Sequence, residues 1–411
     1  MRYSYATHLE CSLTAERYDI ARLQGLSAAK KPLLARYDLA ALKREVPRDA
    51  IEARRPTLWR WHELLPVPDA RFAVTLGEVE TPLVPLLNSA RPADFQPPIV
   101  KDEGRLPTGS FKARGLCLAV SMARLHGVRR VAIPTNGNAG AAMAAYAAQA
   151  EMEAFCFCPD DTPEINLSEI ALQGAVVWRV NGLINDCARL VEAGKAQFNW
   201  FDLSTLKEPY RIEGKKTMGL ELAVQFGWRL PQVVFYPTGG GTGLIGMWKA
   251  WQELLELGWI APPLPRLVAV QSSGCAPIVR AFDLGAQSAT PWKDAHTVAA
   301  GIRVPVALGD FLILRALHES GGFALAVTDE RILAARAHVG AADGLLLSPE
   351  GAATYAAYLS AGAAGLITST DQVVLFNCAT GLKYPMPSVT DHMDLHRPFE
   401  GGIARRAAPP P

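Results

Sequence analysis

From Ile99 onward the chain alternates short apolar runs with longer segments of helical period, and this alternation narrows the possible folds more than any other feature. "RRVAIPT", "AFCFCP", "AVVWRV", "QVVFYPT", "RLVAVQS" and "QVVLFN" read as strands. Between them "GLCLAVSMARLHG", "AGAAMAAYAAQA", "GLINDCARLVEAGKAQF", "KTMGLELAVQFG" and "GLIGMWKAWQELLELG" read as helices with Gly at or near their ends. The pattern predicts parallel sheets covered by helices on both faces. With 411 residues, 49% of them apolar, the chain can bury a large core and favours two or three domains. Residues up to about Phe95 are mixed, carry Trp59 and Trp61, end in "RPADFQPP", and read as an N-terminal extension packed on the main body. The tail "GGIARRAAPPP" is expected to fray.

Charge removes several classes of partner. Lys and Arg number 41 against 40 Asp and Glu, and no block of like charge is long enough to grip nucleic acid or anionic lipid. The N-terminus has charges at Arg2, Glu10, Glu16 and Arg17 and no apolar core of signal-peptide length. No run of about 18 apolar residues occurs, so no membrane span is expected and the cytoplasm is the default. Seven scattered cysteines include no C-x-x-C pair, and Cys156 and Cys158 alternate within an apolar run as in a buried strand. Reduced thiols and no metal site are the expectation.

In such an architecture ligands sit beyond the C-terminal ends of strands, where a glycine-rich turn feeds a helix. "PTNGNAG", "PTGGGTG" and "FNCATG" each follow a strand-like run. Gly239, Gly240 and Gly241 lack Cβ atoms, so successive amides can turn toward one anion while Thr242 adds a hydroxyl. The spacing is neither that of a nucleotide P-loop nor G-x-G-x-x-G, and a tight strand-to-helix turn is the plainer alternative. In "LPTGSFKARG", Lys112 sits among small residues ahead of a helix. Near a phosphate cradle such a lysine could bond the aldehyde of pyridoxal phosphate, with Thr108, Gly109 and Ser110 allowing close approach; a solvated first-turn lysine is the alternative.

Together "KDEGRLPTGSFKARG", "TNGNAGAAMAAYAA", "EPYRIEGKKTMGLELA", "PTGGGTGLIGMWKA", "SPEGAAT" and "FNCATGLKYP" resemble the threonine synthases, within the fold-type-II pyridoxal-phosphate enzymes. The match runs in order from about Leu76 to Pro387, and "CSLTAERYD" with "PLLARYDL" resembles the N-terminal part of longer bacterial forms. The resemblance implies an α/β, tryptophan synthase β-like fold of two domains, each with a mostly parallel sheet flanked by helices. Its expected division is a 1–98 extension packed on the large domain, a large cofactor-binding domain of 99–118 and 208–390, a smaller domain of 119–207 and a 391–411 tail.

It further implies Lys112 as the Schiff-base lysine and Asn138 as partner of the cofactor's ring oxygen, with Gly239, Gly240, Gly241 and Thr242 on the cofactor phosphate. Thr108, Ser110 and the turn Thr135, Asn136, Gly137 to Asn138 would line the substrate side. Arg211 would meet a substrate phosphate, a surface ion pair with Glu208 or Glu213 being the alternative. Lys215 and Lys216 could add positive potential, although long basic side chains are usually solvated. Glu350 would shape the pocket wall or cap a helix without a chemical role. Where similar enzymes often carry "NTGSG", this chain has "NCATG", so either Cys378 makes a soft contact to the pyridine nitrogen or Thr380 supplies a hydroxyl. The implied reaction turns O-phospho-L-homoserine and water into L-threonine and phosphate, by γ-elimination and addition of water at Cβ. The runner-up is a related β-eliminating or β-replacing enzyme, a serine or threonine dehydratase or a phosphoserine-dependent sulfur amino-acid synthase. The partner is then a small amino-acid phosphate, and a homodimer is left open.

Overall fold

The structure, a computed structural model, describes residues 2–388 and 395–396, so the tail expected to fray lies outside it. Near the N-terminus β1 (Ala6–Cys11), β2 (Arg17–Tyr18) and β3 (Leu33–Tyr37) form an antiparallel sheet in the order β2-β1-β3. Helices α1 (Leu39–Glu45) and α2 (Arg48–Glu52) follow. The end of this stretch then joins the main body, because β4 (Leu83–Pro85) pairs antiparallel with β5 (Ile99–Asp102).

Next come α3 (Lys112–Leu125), β6 (Arg130–Pro134), α4 (Asn138–Gln149), β7 (Glu153–Pro159), α5 (Glu164–Leu172), β8 (Val176–Val180), α6 (Ile184–Phe198) and β9 (Phe201–Asp202). Their strands form a four-stranded parallel sheet, ordered β8-β7-β6-β9. The chain continues through α7 (Tyr210–Gln225), β10 (Val233–Pro237), α8 (Thr242–Leu257), β11 (Arg266–Ser272), α9 (Pro277–Asp283), α10 (Asp310–Glu319), β12 (Phe323–Val327), α11 (Asp329–Asp343), α12 (Pro349–Ala363) and β13 (Val373–Asn377). A six-stranded sheet, ordered β12-β11-β10-β13-β5-β4, is parallel except at β4.

The six apolar runs read as strands are all strands, and their lack of polar alternation has a direct cause. In β10, β11 and β13, Val234, Tyr236, Leu267, Ala269, Val374 and Phe376 enter one core, while Val233, Phe235, Val268, Val270, Val373 and Leu375 enter a second on the opposite face. Each buried Val, Leu or Phe among them contributes about 1.5–3 kcal/mol by leaving water, so both faces must be covered.

Helix α7 is buried at every position from Tyr210 to Ala223. It approaches α3 backbone to backbone: a Cβ on Gly214 would overlap the Arg114 carbonyl, and one on Gly115 would lie 3.0 Å from the Arg211 carbonyl. The small N-terminal sheet covers part of α7, with the Tyr37 hydroxyl donating to Glu213 at 2.6 Å. Beside them Arg114 bonds Glu103 at 2.6 Å and Glu221 at 2.5 Å, and Lys101 bonds Glu221 at 2.7 Å, so these four buried charges are paired. Among the described residues no helix is long and apolar enough to cross a membrane.

Candidate active site

The C-terminal ends of β6, β10 and β13 open onto one cavity of ≈ 250 Å³. On the large-sheet side β10 passes through Gly239, Gly240 and Gly241 into α8, whose first amides receive no side-chain cap. Gly241 has φ +76, and a Cβ there would strike Ile313. On Gly239 a Cβ would lie 2.9 Å from Val304 Cγ2, and on Gly240 2.8 Å from Thr205 Cγ2. Conformation and space therefore both demand glycine, and the resulting turn presents bare amides at the positive end of a sixteen-residue helix.

Lys112 opens α3 across the same cavity. Thr108 and Gly109 ahead of it are both left-handed, at φ +58 and +60, and Ser110 bridges to Ala379 just beyond β13. The Phe111 amide donates to the Cys378 carbonyl at 2.9 Å, and the Lys112 Nζ lies 4.3 Å from the Phe111 ring centroid. The lysine reaches the cavity but is otherwise walled in by protein. That desolvation, and then the nearby Arg211 charge, push its pKa down to about 8. An amine so placed is a nucleophile near neutral pH, which a solvated lysine is not. Cys378, facing it, is pushed far up by burial and stays a neutral thiol.

The small-sheet wall is held differently. The Thr135 Oγ1 accepts from the Gly137 amide at 3.0 Å and the Gly140 amide at 2.9 Å, fixing the turn into α4. Gly137 has φ +120, and a Cβ there would lie 2.7 Å from Asn166 Cγ. Two side chains then cross the cavity: Asn136 Nδ2 donates to the Ala300 carbonyl at 3.0 Å and Asn138 Nδ2 to the Tyr384 hydroxyl at 3.0 Å. Glu350 caps nothing; Ser348 caps α12, and Glu350 Oε1 accepts from the Gly301 amide at 2.6 Å, shaping the wall. The Asn136 Oδ1, Asn138 Oδ1, Tyr236 hydroxyl and Glu350 Oε2 are buried without a hydrogen-bond partner. Such a ring of orphaned polar atoms around bare amides and one amine fits a polar, anion-bearing cofactor, since buried polar groups are otherwise satisfied.

Of the residues expected at the site, Lys112, Thr135, Asn136, Asn138, Gly239, Gly240, Gly241, Thr242 and Cys378 line this cavity. Gly137, Thr108, Ser110, Thr380 and Arg211 do not. Ser110 is fully buried with no partner for its hydroxyl. Thr108 and Thr380 border a separate shallow depression with Glu169 and Lys383, and the Thr380 hydroxyl accepts from the Leu382 amide. Of the two side chains considered for the pyridine nitrogen, Cys378 alone borders the cavity.

Arg211 forms neither of the ion pairs weighed for it and is buried behind the wall. Its Nη1 donates to the Leu203 carbonyl at 2.7 Å and to Thr205 Oγ1 at 3.4 Å, leaving Nε unpartnered. The solvated state expected of Lys215 and Lys216 is incorrect, as neither has any exposure. The sequence reading missed Phe111, Tyr236, Tyr384 and Lys207, which also line the cavity. Lys207 is the one lining cation besides Lys112 among the described residues, and it reaches Asp202 at 3.2 Å and Glu192 at 3.4 Å. Its signal was its place just past a strand end, but β9 is only two residues long.

The family model for pyridoxal-phosphate-dependent enzymes matches residues 74–379. The chain is 32% identical to the threonine synthase of Methanocaldococcus jannaschii, covering 85% of this chain and 86% of that one. It is 34% identical to the threonine synthase of Mycobacterium tuberculosis, over 80% and 91% of the two chains. Among solved structures, maize serine racemase superposes with a TM-score of 0.60 at 18% identity, covering 74% of this chain and 88% of that one. A fungal L-serine ammonia-lyase from Rhizomucor miehei does so with a TM-score of 0.60 at 19% identity, over 74% and 94%. These structural likenesses carry the fold alone.

Proposed function

The chain belongs to the pyridoxal-phosphate-dependent enzyme family, and from that premise we propose that it is a threonine synthase, converting O-phospho-L-homoserine and water into L-threonine and phosphate. The observation that carries this reading is a desolvated Lys112, its pKa lowered to about 8, facing a bare-amide glycine turn across one cavity, in a chain whose relatives named above are threonine synthases.

When bound, pyridoxal phosphate supplies a conjugated ring that accepts the electron pair released at the substrate Cα. The chain's own residues do the rest. Lys112 Nζ would hold the cofactor through its aldehyde carbon and, when its amine is free, would take and return protons at the substrate Cα and Cβ. The amides of Gly239 to Gly241 and the Thr242 hydroxyl grip the cofactor phosphate. Asn138 would offer its amide to the cofactor's ring oxygen, and the neutral Cys378 thiol would stand near its pyridine nitrogen. Thr135 and Asn136 border the substrate, with Gly137 setting their turn. Thr108 and Ser110 shape the segment that delivers Lys112. The leaving phosphate is placed near Ser204 to Lys207, where Lys207 lines the cavity directly and Arg211 stands behind Thr205. The large sheet thus carries the cofactor and the small sheet the substrate side. A reducing, cytoplasmic setting suits seven free, buried cysteines.

The test is product identity. Cofactor-loaded protein given O-phospho-L-homoserine should release threonine and phosphate in equal amounts. If it instead makes 2-oxobutanoate from free threonine, or needs O-phosphoserine and sulfide, the runner-up enzymes take its place; a protein that stays colourless with pyridoxal phosphate removes both.

A further inference from the structure

Lys215 and Lys216 are neighbours on α7 and equally buried, yet their surroundings differ in kind. Lys216 bonds Glu213 and Glu253, each at 2.8 Å. Lys215 makes no ion pair. Its Nζ donates to the Phe111 carbonyl and lies 4.1 Å from the Phe111 ring centroid. The charges that act on it most strongly are those of Lys112, Arg211, Glu103 and Arg114, three of the four positive. The packing is made for this side chain: a Cβ on Gly115 would come 2.9 Å from the Lys215 Cε and 3.2 Å from its Nζ.

Phe111 immediately precedes Lys112, and three contacts fix it. Its amide donates to the Cys378 carbonyl at 2.9 Å, its carbonyl accepts from Lys215, and its ring carries both amines, Lys112 at 4.3 Å and Lys215 at 4.1 Å. Remove the Lys215 bond and the Phe111 carbonyl keeps only the Arg114 amide of its own helix turn, at 3.2 Å, so nothing from α7 holds the peptide that delivers Lys112 into the cavity. We propose that Lys215 is a positioning residue, whose amine holds the Phe111 carbonyl and backs the Phe111 ring so that Lys112 enters the cavity in one orientation. Burial, and then the neighbouring Lys112, push the Lys215 amine well below the ordinary lysine value, and it remains a hydrogen-bond donor to the Phe111 carbonyl in either protonation state. An apolar chain would fill the same space without that desolvation, which points to a role other than packing.

This inference rests on Lys112 as the cofactor lysine, and its test begins without substrate. Cofactor-free Lys215→Met should capture pyridoxal phosphate about tenfold more slowly than the parent, read from the yellow absorbance that covalent attachment produces, the size of one lost buried hydrogen bond. Its melting temperature should be unchanged or higher. In turnover, kcat should fall by about the same factor while KM moves less than about twofold, the pattern of a displaced reacting group and not of lost substrate contacts. Lys215→Gln, which keeps a neutral donor, should restore both readings. Should the Met variant not fold, Lys215→Ala is read the same way. Capture and turnover matching the parent in the variant without a donor, an effect confined to KM, or a Gln variant as slow as Met would each overturn the proposal. If the parent makes no threonine, the functional reading fails while the capture comparison still decides this one.

Discussion

The two walls of the cavity are built on different principles. The wall at β10 and α8 is a glycine backbone packed tightly against its neighbours, Val304, Thr205 and Ile313, and the ligand groups are main-chain amides. The wall at β6 and α4 is held to the rest of the molecule by side chains: Asn136 to Ala300, Asn138 to Tyr384, Lys383 to Glu169 at 2.6 Å, and Arg303 to Asp161 at 2.6 Å. A ligand gripped by the first wall meets a site already formed. One that contacts the second can draw on bonds that break and re-form, which is where differential binding along a reaction is accommodated. Changes on the first wall should therefore act on cofactor retention, and changes on the second on substrate.

The largest effect is expected between the walls. Lys112→Ala should abolish covalent cofactor attachment and cut turnover by at least about 10⁴-fold, checked by absorbance and threonine release. In the parent protein, cofactor capture should rise with pH through about 8 and level off above, because the lowered pKa leaves the amine charged and unreactive below it. The same shift disfavours the fold at low pH: the unfolded lysine keeps its proton up to its ordinary value, so this unfavourable contribution is full below about 8, fades as the pH climbs from there toward that ordinary value, and is absent above it. A capture rate flat across pH 7 to 9 would break the assignment.

On the rigid wall, Gly241→Ala forces an alanine to φ +76 against Ile313. Left-handed backbone costs a non-glycine residue about 1–2 kcal/mol and overpacking about 1–3 kcal/mol more. Calorimetry should show a comparable loss of stability, with cofactor affinity falling about 100-fold or more, while any retained holoenzyme keeps its substrate KM. On the opposite side, Lys207→Gln should raise the KM for O-phospho-L-homoserine about tenfold, the scale of one charged hydrogen bond, with cofactor affinity unchanged. Arg211→Ala should raise KM likewise but also lower the melting temperature, since the Leu203 carbonyl loses its partner in a buried place. Equal loss of cofactor and substrate affinity in the Lys207 variant would erase the distinction between the walls.

That distinction also sorts what a sequence can reveal. The rigid wall was legible because its constraints are local: three consecutive glycines after an apolar strand have few explanations other than a turn that must approach something closely, and Lys112 stood beside similar small residues. The other wall is made by distant pairs. Nothing near Tyr384 announces that it meets Asn138, and Lys207 acquires its place from β9, too short to leave a pattern. The burial of Arg211, Lys215 and Lys216 went unforeseen for one reason. Burial from Tyr210 to Ala223 arises because α3, α8 and the N-terminal sheet surround α7, so the helix shows no polar face from which enclosure could be inferred. Strands β4, β5 and β12 passed unnoticed because runs of three to five residues carry little period.

The smallest expected effect probes whether the second wall is as separable as its bonds suggest. Arg303 and Asp161 join the loop after β7 to the segment around Gly301 through two hydrogen bonds, at 2.6 and 2.8 Å, and the Asp161 side chain is 54% exposed. The bond to Arg303 holds the Asp161 carboxyl below its ordinary value, so the pair's contribution is present above that value and lost as pH falls through the depressed one. Exposure and screening limit it to roughly 0.2–1 kcal/mol. Asp161→Asn should therefore leave cofactor affinity untouched and change substrate KM by no more than about threefold, an effect that raised ionic strength reproduces in the parent protein. If instead the variant sheds its cofactor, the closing bonds are part of the cofactor's grip, and the cavity has one rigid wall extended around it and not two walls of different kind.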